Sequence, residues 1–106
     1  MTAEPPAPIW LVVRQSPLDP GERSVLGALA ALARERKARL VEILLENAAY
    51  EVETPPGDAG PDESWVLEED LRGRGLVPSA GRRIQAISYG EFVQGLFGSE
   101  KVVQLP

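Results

Sequence analysis

Two short apolar runs separated by one long amphipathic stretch constrain this chain more than any other feature. Ile9 to Val13 (IWLVV) and Leu40 to Leu45 (LVEILL) are nearly unbroken in apolar character and too short for buried helices. Such runs read as strands covered on both faces, the habit of parallel sheets. Between them Asp19 offers an N-cap, Pro20 the first helical position and Glu22 an acid at the third. Val25, Leu29 and Leu32 then recur at i, i+4 and i+7, with Leu26 and Ala33 beside them, a stripe that would face a sheet. Arg34, Arg36 and Lys37 follow where cations suit the end of a helix dipole. Strand, helix and strand in this order predict parallel pairing through a right-handed crossover.

The rest of the chain repeats the alternation in shorter pieces. Residues 46–51 (ENAAYE) allow a single helical turn, and residues 54–63 (TPPGDAGPDE) read as a surface loop. Trp65 to Leu67 begins a short third strand, Glu69 to Arg74 a short helix stopped at Gly75, and 78–83 another loop. Ile84 to Ile87 is a fourth strand. Ser88 and Glu91 then form the Ser-x-x-Glu pattern of a capping box, with Ile87 and Phe92 at the two positions of a hydrophobic staple. Gly98 offers a left-handed stop, and Val102, Val103 and Leu105 read as a short buried strand. The expected fold is one small α/β domain over residues 9–106, a mostly parallel sheet of about five strands with flanking helices, DsrE- or flavodoxin-like in shape. Residues 1–8, with three prolines, form a loose lead-in. The connection 46–63 is short enough to leave one sheet face thinly covered, which makes Tyr50 and Trp65 candidate interface residues.

Composition narrows the chemistry. The chain has 106 residues, no Cys and no His. Thiolate zinc sites, cysteine nucleophiles and the Ser-His-Asp arrangement are therefore absent, and enzymatic activity of the chain on its own is not expected. A net charge of −5 argues against autonomous nucleic-acid binding and for solubility or a basic partner. The apolar runs are too short to span a bilayer, and MTAEPPAP lacks a signal-peptide pattern, so the expected setting is the cytoplasm. Glu68, Glu69 and Asp70 are adjacent and do not share a helix face, so they favour a helix start over a metal site. Gly21 stands alone, and no glycine-rich phosphate loop follows either early strand. No cofactor is implied.

Ligands of open parallel sheets bind beyond the carboxyl ends of the strands. Here those ends carry Gln15, Ser16, Glu46, Asn47, Ser88 and Tyr89, a candidate polar pocket. The competing explanation is turn and cap chemistry, which Ser and Asn serve by bonding local backbone. Arg82 and Arg83 read as a solvated basic pair in a loop.

Four patches resemble the DsrH/TusB family, small subunits of sulfur-relay complexes. They are "RQSPLD" at 14–19, "LLENAAYE" at 44–51, "WVLEEDLRGRGL" at 65–76 and "ISYGEFVQGLFGSEKVVQL" at 87–105. The resemblance implies a DsrE-like fold and partnership with DsrE/TusD-like and DsrF/TusC-like proteins, possibly with self-association. It also implies service to tRNA 2-thiouridine synthesis or sulfur oxidation. Family members commonly carry a cysteine in the region of the first helix; this chain has none, so the implied role is accessory and non-catalytic. The alternative is a small-ligand-binding flavodoxin-like domain.

Overall fold

The structure, a computed structural model, describes residues 8–14, 16, 19–54, 61, 63–99 and 101–105. All of the lead-in except Pro8 lies outside the described residues, as does most of the 54–63 loop. Five strands form one sheet: β1 (Ile9–Val13), β2 (Leu40–Leu44), β3 (Glu63–Leu67), β4 (Ile84–Ile87) and β5 (Lys101–Gln104). Their order is β4-β3-β2-β1-β5, and every pair is parallel. Three α-helices, α1 (Pro20–Glu35), α2 (Glu68–Gly73) and α3 (Tyr89–Gly98), and a 3₁₀ helix over Glu46–Glu53 join them.

The direction of each crossover decides which face its helix covers. Stepping from β1 through β4 always moves the same way across the sheet, whereas β4 to β5 doubles back past β1. Right-handed connections therefore send the first three to one face and the last to the other. The packing agrees. Leu26, Leu29, Ala48, Ala49, Val52 and Leu71 bury against Leu11, Val13, Leu44 and Val66, while Phe92 of α3 meets Trp10, Val12, Val41 and Ile43 on the opposite side. The short connection after β2 thus covers its own face well, because three of its small or branched side chains are fully buried. The lightly covered face is the other one, which among the described residues has α3 alone. This corrects the expectation drawn from the length of that connection.

Local chemistry shapes the helices. Asp19 caps α1: its carboxylate accepts from the Glu22 backbone N–H at 2.8 Å, and the Glu22 carboxylate closes the box weakly at 3.5 Å. Ala30 and Ala33 are buried with Leu26, whereas Val25 and Leu32 are exposed, so the stripe is centred one position round from the expected one. Both α1 and α2 end in a left-handed residue. At α2 it is Gly75, with the Leu76 N–H on Leu71 O and the Gly75 N–H on Arg72 O. At α1 the same pair of bonds, Ala38 to Ala33 and Lys37 to Arg34, forms around Lys37, whose φ is 55°.

At α3 the capping box is present as expected: Ser88 Oγ accepts from the Glu91 N–H at 3.1 Å and Glu91 returns the bond at 3.0 Å. That backbone hydrogen bond holds the Glu91 carboxyl below its usual range. Gly98 does not act as a left-handed stop. It is the last helical residue, extended Ser99 follows, and the Ser99 hydroxyl donates to Leu96 O at 2.8 Å. Gly95 has a different duty, since a β-carbon there would overlap the ring of Trp10. The strand after α3 is an edge and mostly exposed, with Val103 half-buried and Leu105 buried beyond it, so the expectation of a buried strand is corrected too. β3 begins at Glu63, two residues before the expected start.

Candidate functional site

The polar residues at the carboxyl ends of the strands are the first place to look, and most are bonded to one another. Arg14, just beyond β1, donates to Glu46 Oε1 at 2.6 Å, and this bond draws the Glu46 carboxyl below its usual range. Asn47 Oδ1 accepts from Arg74 Nη1 at 3.2 Å. The Ser16 hydroxyl donates to Glu51 at 3.0 Å, and Arg23 reaches the same oxygen at 3.4 Å. Ser88 is occupied as the α3 cap, and Tyr89 is exposed with its ring 6.1 Å from Phe92. Gln15 lies outside the described residues. The strand order places Ser88 and Tyr89, after β4, about 10 Å or more from the β1 and β2 ends, at roughly 4.8 Å per strand. The five described candidates therefore fall into two groups, and the one nearer β1 is tied up in hydrogen bonds and an ion pair.

Tyr50 and Trp65 are also parted by the sheet. Tyr50 belongs to the 3₁₀ helix, is 44% exposed, and has the Arg74 guanidinium 5.4 Å from its ring centre. Trp65 lies on the opposite face, edge-on to Trp10 at 5.8 Å, with Arg39 at 5.9 Å over its ring. One patch cannot contain both.

Two features were not anticipated. The first is a pair of buried carboxylates on the α1 side of the sheet. Glu42, on central strand β2, is 2% exposed. It accepts at one oxygen from Ser64 Oγ (3.0 Å) and Arg82 Nη2 (3.1 Å), while Arg82 Nη1 donates to Thr54 O at 3.3 Å. Glu51, also buried, is the acid already paired with Arg23 and Ser16. Burial raises the Glu42 carboxyl above the ordinary range, against the opposing pull of Arg82 and Ser64. Arg82 is thus not a solvated loop residue, since its side chain is only 15% exposed and serves as the counter-charge of Glu42. The signal was present in the sequence: an acid inside LVEILL, on a strand covered from both sides, requires a buried cation.

The second feature is at the other end of the strands. A cleft of about 480 Å³ opens beside the amino ends of β3 and β4, lined by Glu63, Arg82, Arg83, Ile84 and Gln85. Glu63 is gripped at both oxygens by Arg39, at 2.8 and 3.0 Å, and accepts from Trp65 Nε1 at 3.0 Å. The Arg39 bonds hold its carboxyl below the usual range.

No group of residues suited to holding a metal occurs among the described residues, nor does a helix long and apolar enough to cross a membrane. Comparison with protein-family models and with curated protein sequences yields no match.

Proposed function

We propose that this chain is an accessory, non-catalytic subunit of a cytoplasmic sulfur-relay assembly of the DsrH/TusB kind, acting by contact with DsrE/TusD-like and DsrF/TusC-like proteins. Its service would be to tRNA thiolation or to sulfur oxidation. The observation that carries the reading is the state of the strand ends. A relay step needs a thiolate to attack the donor sulfur and hold it. This chain has no thiol, and among the described residues after β1 and β2 Glu46, Asn47 and Glu51 are engaged by Arg14, Arg74 and Arg23. None of the described residues there is a thiol nucleophile.

What the chain does offer is surface. Phe92 and Gly95 turn one flank of α3 to the sheet, while Tyr89, Leu96 and Phe97 lie exposed on the helix, Phe97 at 85%. An apolar flank of this kind suits a protein partner. Co-expression with DsrE- and DsrF-like proteins should give a complex that sediments as one species, and Phe97→Glu should dissolve it. A labelled persulfide donor should mark only the partners. A chain that stays alone in that mixture, or that carries reducible label itself, would end this proposal.

A further inference from the structure

We propose that the outer edge of β4, with the arginine-lined cleft at its amino end, receives an extended acidic segment of another polypeptide as an added strand. This goes beyond the relay reading and holds whatever assembly the chain joins.

The backbone supplies the first half of the argument. β4 lies at the end of the strand order and, among the described residues, pairs only with β3. Gln85 and Ala86 point to opposite faces of the sheet and both are exposed, between half-buried Ile84 and buried Ile87, so among the described residues the middle of this edge is open on both sides. An open edge offers a row of unpaired N–H and C=O groups to any extended chain. Natural edges are usually blunted by lysine, proline or charge. The opposite edge strand opens with exposed Lys101, but Ile84–Ile87 (IQAI) has neither charge nor proline.

Charge supplies the second half. The cleft sits where an added strand would run past the start of β4. The one acid among its described lining residues, Glu63, is already paired with Arg39. Arg82 is held inward by Glu42. The Arg83 carbonyl accepts from the Ser64 N–H at 3.3 Å. Its exposed side chain makes no hydrogen bond or ion pair with a described residue and acts on Glu63 only at a distance, which leaves a positive charge facing the cleft on a chain of net charge −5. A carboxylate matches a guanidinium in geometry as well as in sign. Main-chain pairing would give affinity and alternate acidic side chains would give specificity, as in strand addition generally.

The test is an amide NMR titration of the intact chain with a capped peptide of alternating glutamate and valine. Saturable shifts should centre on residues 83–87. Arg83→Glu should weaken binding at least about tenfold, a difference of about 1.4 kcal/mol, and Arg83→Lys should restore most of it. The same peptide with lysine for glutamate, or with alternate backbone nitrogens methylated, should not bind. Shifts centred on α3, equal binding of the lysine or methylated peptide, equal binding of oligothymidylate, or no saturation would each overturn the proposal. Arg83 is an exposed loop residue, so its variants should fold; unchanged spectra outside the edge would verify it.

Discussion

On the α1 side of the sheet, β2 and β3 present Glu42 and Ser64; on the α3 side the same two strands present Val41, Ile43 and Trp65. The first side has three covering segments and still contains buried charge. The second has one ten-residue helix and holds its centre with rings, Trp10 lying 5.4 Å from Phe92 and 5.8 Å from Trp65. Thick cover makes ionic groups tolerable, because it supplies the cations that neutralise them: Arg82 follows α2 and Arg23 lies on α1. Thin cover demands large side chains that bury area on few contacts and pack in specific geometries. Each solution has its own weak point.

The largest effect is expected where charge is buried. Arg82→Ala would leave Glu42 with Ser64 alone and should destabilise the fold by about 3–5 kcal/mol near neutral pH. Because burial raises the Glu42 carboxyl, its contribution to stability is complete below the ordinary value of 4.5 and is lost as pH rises through the folded value. The variant should move that loss to higher pH, so its urea midpoint should fall further behind wild type at pH 8 than at pH 5. Equal deficits at both pH values would mean that the pair is not the cause. Glu42→Gln should flatten the pH dependence while keeping the Ser64 hydrogen bond.

On the aromatic side, Gly95→Ala should cost about 1–3 kcal/mol by forcing α3 away from Trp10. Pairing it with Trp10→Phe, which clears the space, should recover part of that loss. Additive penalties in a double-mutant cycle would show that the two do not meet as described. Ser88→Ala should cost about 0.5–2 kcal/mol through the α3 cap, and an unmoved denaturation midpoint would argue against the helix start. The smallest change is a gain. Lys37→Gly should stabilise by about 0.5–1 kcal/mol, because a side chain at φ 55° is strained and glycine is not. A lower melting temperature would refute it.

Periodicity and caps made most of this architecture legible. IWLVV and LVEILL are strands, Asp19 and Ser88 do cap helices, and Gly75 does end α2. What stayed hidden depends on strand order. Alternating residues indicate which side chains share a face, but not that β5 would return beside β1 and place α3, alone among the described helices, on the other face. Glu42 and Arg82 are 40 positions apart and meet only once β3 and β4 are laid down. The site was legible as residues and not as a place: Ser16, Glu46 and Asn47 do stand beyond strand ends, but the groups that hold them, Glu51, Arg14 and Arg74, lie 27 to 35 positions away in the chain. Lys37 gave no local signal, because the left-handed end it adopts is ordinarily signalled by glycine or asparagine.

The strand order also carries a kinetic consequence. β1 through β4 can zip together by neighbouring steps, but Trp10 finds Val102 only after about 90 residues of chain, a high-contact-order event with a large loop to close. Until then one edge of β1, a largely buried strand, stands bare. Strand β5, mostly exposed in the finished domain, is therefore the piece that shields the centre from association while the molecule assembles.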